Sequence, residues 1–204
     1  METREQVEIN KFIADSENDI KPLVEEGATL LHEAVKLGMI EVVKSLIDAG
    51  ENVNAKDKNG NTPLHFVKTI EIAELLVFEG ANVNEQNKFA NTPFFSVVAN
   101  ENIALTKFLF SQDADVNVLV GVLGDWDWTE DARETIKYIT PLDFAVNQFE
   151  AKAYNGQVAN LDMVEYLLSV GARQADDIEN QCTQQDYESA LLNEIREYFA
   201  DCFE

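Results

Sequence analysis

Basic residues are scarce in this chain: 15 lysines and arginines face 38 aspartates and glutamates, a formal charge of −23. A surface that acidic repels nucleic-acid phosphate, which argues against direct nucleic-acid binding. It favours solubility and a monomer, repels itself at low salt, and suits a partner with a basic surface. Cysteine is almost absent. Cys182 and Cys202 are the only two, both near the C-terminus. They have no C-x-x-C spacing, build no disulfide framework, and fit a reducing, intracellular setting. Long apolar runs are missing too, so no transmembrane helix is expected. Met1-Glu2-Thr3-Arg4-Glu5 has no apolar core of a secretory signal, which points to the cytoplasm and leaves open secretion by a signal-less route.

The motifs of chemistry are absent as well. There is no GxxxxGK[ST], GxGxxG or HExxH, and the two histidines, His32 and His65, have no oriented partner or cleft evident in the sequence. Asp125, Asp127 and Asp131 are spaced like the early ligands of a calcium loop. The turn glycine is missing, however, and the twelfth position from Asp125 is Ile136, where such a loop needs glutamate. No enzyme activity, cofactor or metal is therefore expected.

What the chain does have is a recurring phrase. Gly60-Asn61-Thr62-Pro63-Leu64-His65 reads as a helix start, with Thr62 as N-cap and Pro63 in the first turn. It recurs imperfectly as Thr29-Leu30-Leu31-His32, Thr92-Pro93-Phe94-Phe95 and Thr140-Pro141-Leu142-Asp143. The first two copies lie 33 residues apart. That phrase at that period resembles the ankyrin repeat. The resemblance implies an all-α solenoid of helix-turn-helix units with β-turn fingers, capped at both ends, as one domain over 1–204. Its parts are an N-terminal capping half-repeat (1–28), repeats at 29–61, 62–91, 92–139 and 140–182, and a C-terminal cap helix (183–204).

The chain in order supports this division. Ile9, Phe12 and Ile13 give the first segment one apolar face, and a solenoid needs such a cap over its end. The first repeat places Leu30, Leu31, Ala34 and Val35 in one helix, Gly38 at its end, and Val42, Val43, Leu46 and Ile47 in a second. The second repeat is three residues shorter between Thr62 and its glycine, Gly80, than the first between Thr29 and Gly50. The third has Asp113 in the glycine position, and its finger carries 15 extra residues before Thr140. Val118, Leu119, Val120, Val122 and Leu123 are too apolar for a freely solvated loop, so part of it is expected to dock. The fourth repeat has ten extra residues near 149–160, either in an extended first helix or in a longer loop. Tyr187, Leu191, Ile195 and Tyr198 then fall at helical spacing.

The resemblance also implies where function lies. Members of this family bind partners on a concave face lined by first helices and fingertips, and the motif histidine rigidifies the turns. The variable position after each motif is Glu33, Phe66, Ser96 and Phe144. Phe66 reads as a contact, and Phe144 either as a contact or as packing against the neighbouring insertion. Trp126 and Trp128 stand two apart in the long finger, flanked by Asp125 and Asp127. They either anchor a partner, as tryptophan often does at hot spots, or hold the insertion down. The expected function is a non-catalytic protein–protein interaction module. The alternative is an acidic inhibitor or immunity protein that blocks a basic enzyme, its charge steering fast association.

Overall fold

The computed structural model describes residues 15, 27–123, 136–155 and 161–175. The two caps, apart from residues 15, 27 and 28, therefore lie outside the described residues. So do Cys182, Cys202, Asp125, Trp126, Asp127 and Trp128.

Each repeat supplies two short helices whose apolar positions recur every three to four residues. In α1 (Leu30–Leu37), Leu31, Ala34 and Val35 are buried, and in α2 (Ile40–Asp48), Val42, Val43 and Leu46. Helices of two turns are too short to be stable alone and gain their stability from packing on neighbours. They do so here through one continuous core that runs from Leu31 to Ala172. First helices stack on first helices and second on second. The first-helix layer is the more closely packed of the two.

The shortfall in the second repeat is taken from its first helix. That element shrinks to one 3-10 turn, η1 (Pro63–Phe66), after which Val67 is extended and Thr69 leads into α3 (Ile70–Phe78). Leu64 and Val67 remain buried, so the turn still fills its place in the core. The third repeat is regular in α4 (Pro93–Ala99) and α5 (Ile103–Ser111).

Its long finger adds an element to the all-α expectation. β1 (Val120–Leu123) pairs antiparallel with β2 (Ile136–Ile139), with Val120 opposite Ile139 and Leu123 opposite Ile136. Side chains alternate along the approach to the hairpin, with Val118 and Val120 buried and Leu119 exposed, as a strand requires. The base of the insertion is thus docked, on a second apolar cluster of Phe95, Val118, Val120 and Ile139 joined by Ala99 and Phe144.

The excess of the fourth repeat goes at least partly into helix. α6 (Pro141–Tyr154) has 14 residues against 8 in α1 and precedes α7 (Asp162–Ser169). Its overhang lies across the preceding repeat's turn. There Gln148 Nε2 donates to the Ala99 carbonyl (3.2 Å), and Lys152 pairs with Glu101.

Two sites test this packing. Gly60 holds a left-handed turn (φ +83), and a Cβ there would meet Lys88 N at 3.2 Å. Ala90 occupies the matching turn of the next finger at φ 59. A left-handed L-residue costs about 1–2 kcal/mol, while glycine's extra chain entropy costs about 0.5–1 kcal/mol. Ala90→Gly should therefore raise stability by about 0.5–1 kcal/mol in denaturant melts. Leu76, fully buried in α3, should cost about 2–5 kcal/mol on truncation to alanine in the same assay.

Candidate functional site

The titratable side chains nearest to chemistry are spent on register. His65 Nδ1 accepts from the Thr62 backbone N–H (3.0 Å), with the Thr62 hydroxyl also 3.0 Å away. An accepting Nδ1 places the ring proton on Nε2, which donates to the Asn91 carbonyl of the next finger (3.1 Å). His32 repeats the arrangement, with Nδ1 on Thr29 N–H (3.1 Å) and Nε2 on the Asn61 carbonyl (3.0 Å). Both ring nitrogens are committed, so neither histidine is free to act as a base. The Thr62 hydroxyl faces its histidine and that of Thr140 faces Asp143, whereas Thr92 only accepts from the backbone N–H of Phe95 in the simpler N-cap manner.

Where the motif loses its histidine, two different solutions appear. Asp143 Oδ2 accepts from Thr140 N–H (2.8 Å) and lies 2.9 Å from its hydroxyl, as Nδ1 does elsewhere. It also accepts from Ala175 N–H (2.9 Å). The link to the following segment survives with donor and acceptor exchanged. Phe95 gives up the polar link and packs edge-on against Phe144, ring centres 5.2 Å apart, in the cluster that seats the hairpin.

A second set of bonds comes from asparagines that precede the fingers. Asn54 Nδ2 donates to the Gly80 carbonyl (2.9 Å) and its Oδ1 accepts from Asn82 N–H (2.9 Å). Asn84 does the same with the Asp113 carbonyl (2.9 Å) and Asp115 N–H (2.8 Å). Asn117 reaches across the insertion to the Gly171 carbonyl (3.3 Å) and Arg173 N–H (2.8 Å). Within the first finger, Asp57 accepts from Asn59 N–H, Asn61 N–H and Asn61 Nδ2. Its partial burial pushes its pKa up, but these bonds to the charged form outweigh burial and leave it lowered. Asn87 Nδ2 donates to Asn61 Oδ1 (2.7 Å). The next finger has Val120 at that place, and Asn91 Oδ1 is left buried without a partner. The departure of the third finger from the regular pattern thus has a local polar cost.

Of the four expected contact residues that are described, two are brought together and two stand apart. Glu33 is only 7% exposed and pairs with Lys36 (2.7 Å). The Lys36 ammonium lies 4.6 Å from the ring centre of Phe66, which also meets His32 edge-on. Glu33 and Phe66 are thereby joined through a lysine that the motif-based reading passed over; its signal was the three-residue helical spacing from Glu33. Ser96 is partly exposed on α4. Phe144 is half-buried on Phe95, in the packing role that was one of its two expected readings. Among the described residues no group of three or more metal-ligating side chains occurs, and no helix is long and apolar enough to cross a membrane.

Stacked helix pairs, histidine pins and asparagine clamps define a helical-repeat protein. Residues 31–77 match the family model described as ankyrin repeats (many copies). Over 36 residues the chain is 53% identical to ankyrin repeat protein FPV223 of Fowlpox virus (strain NVSL), which is 18% of this chain and 26% of that protein. It is 56% identical over 39 residues to protein phosphatase 1 regulatory subunit 12A of Mus musculus, 19% of this chain and 4% of the other. With protein phosphatase 1 regulatory subunit 27 of Mus musculus the identity is 34% over 58 residues, 28% and 38% of the two chains. The matched stretches thus span well under half of each relative. Residues 31–77 thus match ankyrin repeats, a type of repeat that mediates protein–protein interaction.

The histidine pins carry a pH dependence. Burial lowers the pKa of both His32 and His65 below 6.5, more than the carbonyls of Asn61 and Asn91 and the charge of Asp57 raise it. The unfolded chain then binds protons more readily than the folded one, so stability rises with pH through this range. The contribution is complete above about pH 6.5 and is lost as pH falls toward the folded-state values. Urea melts should show a lower midpoint at pH 5 than at pH 7.5, and His65→Gln should shrink that difference.

Proposed function

We propose that this chain is a non-catalytic docking module that holds a protein partner along its first-helix face and the adjoining fingers. The observation that carries the proposal is the commitment of His32, His65, Asp57 and Asp143 to register. The first-helix row, with Lys36 over Phe66 followed by Ser96, is what remains for contact. The short matches to regulatory subunits of a phosphatase support a binding role and leave the partner's identity open. We propose an intracellular, monomeric protein, with Trp126 and Trp128 as further contact residues.

Inhibition of a basic enzyme is the competing reading, and the large excess of acid favours it. The two readings use different faces. With a partner in hand, Ser96→Arg should weaken binding at least 10-fold in calorimetry while leaving the thermal melt unchanged. If Ser96→Arg has no effect and Glu74→Arg, on the exposed side of α3, abolishes binding, the inhibitor reading replaces this one.

A further inference from the structure

Within residues 29–115 the charge is sorted by face. Across residues 29–115, the first helices and fingers (29–38, 54–68, 84–100) carry five lysines, Lys36, Lys56, Lys58, Lys68 and Lys88, against three acids, Glu33, Asp57 and Glu85. The second helices and the turns around them (39–53, 69–83, 101–115) carry nine acids against two lysines. The net formal charges are +2 and −7 in a chain of −23.

The three acids on the finger side are also occupied. Glu33 is held by Lys36 (2.7 Å), Glu85 by Lys56 (2.6 Å), and Asp57 takes its three internal hydrogen bonds. Lys58 and Lys88 are exposed and in no ion pair among the described residues. They hold the same place in consecutive fingers, each four residues before the motif threonine. The fingers touch there, since Lys88 N–H donates to the Asn59 carbonyl (2.9 Å). Beside Lys88, Phe89 is 60% exposed. The ridge therefore offers two adjacent ammonium groups that no described carboxylate pairs with and a large apolar side chain, on the one side of these repeats where acid does not dominate.

We propose that this finger ridge binds an acidic polypeptide segment, with carboxylates on Lys58 and Lys88 and an apolar or aromatic side chain against Phe89. The proposal rests on the docking-face reading and names its partner's chemistry. Net charge alone points to a basic partner. The distribution of charge reverses that at the ridge, because close partners meet local charge, and pairing across an interface rewards opposite sign. A second copy of the chain would bring its acidic second-helix side to the ridge only by a head-to-tail contact, which does not close into a dimer. A separate acidic segment is the better fit.

Random dodecapeptides displayed on phage and selected against the full chain test this, with the enriched peptides then measured by fluorescence anisotropy. The expected result is enrichment of Asp and Glu over Lys and Arg together with an aromatic or aliphatic residue. Affinity should drop at least 10-fold in Lys58→Glu/Lys88→Glu, fall in Phe89→Ala, and weaken as salt rises, with melts unchanged. Basic or uncharged peptides that respond to Ser96→Arg but not to the finger variants would overturn the proposal and leave the docking face standing. Peptides that respond to neither would overturn both, and so would failure to enrich any peptide.

Discussion

One asparagine amide per finger, bonded to a carbonyl and an N–H of the next repeat, is the constraint on which this structure depends. A stack of short helix pairs has no sheet to tie its ends together. Apolar contacts between layers are non-directional and tolerate a slide. The amides of Asn54, Asn84 and Asn117 do not, because each satisfies a donor and an acceptor at fixed separation. The same device bridges sequence separations of 26 and of 54 residues. This is why the insertion of a long finger leaves the fourth repeat seated on the third.

The histidine pins are a second, replaceable layer of the same logic. They rigidify the first two repeats, where the motif keeps its histidine. In the fourth, a carboxylate does the work with donor and acceptor exchanged, and in the third an aromatic side chain replaces it. That replacement has consequences along the chain: Phe95 creates the apolar seat for Val118, Val120 and Ile139, and Val120 in turn deprives Asn91 Oδ1 of the amide its counterpart receives. The docking face we propose is the row of side chains after each motif and the tips of the fingers. Its partners would meet local charge quite unlike the chain average.

Much of this was legible in the residues. Threonine starts and helical spacing placed the repeats, since N-capping and amphipathic burial are local and strong. The apolar run after Val116 announced that the insertion would dock. Less legible were the fates of added and missing residues. Three residues fewer between Thr62 and Gly80 could shorten either helix or their connection, and packing decided for the first helix because Leu64 and Val67 still reach the core from a single 3-10 turn. Part of the ten-residue excess after Thr140 lengthens α6, where Gln148 and Lys152 find partners on the preceding turn, a tertiary effect that periodicity does not report. The contact residues were half legible. Their positions follow from the repeat, but the neutralising of Glu33 by Lys36, and the lack of an ion pair at Lys58 and Lys88 among the described residues, depend on neighbours in space.

The central claim is that side-chain amides carry register from repeat to repeat, across the insertion included. Native-state hydrogen exchange of Asn117→Ala, compared with the unaltered chain, tests it most directly. Loss of the amide leaves the Gly171 carbonyl and Arg173 N–H without it, and the account predicts that protection falls in 141–173 while 30–111 keeps its own. Unchanged protection in 141–173, or an equal loss along the whole stack, would contradict it.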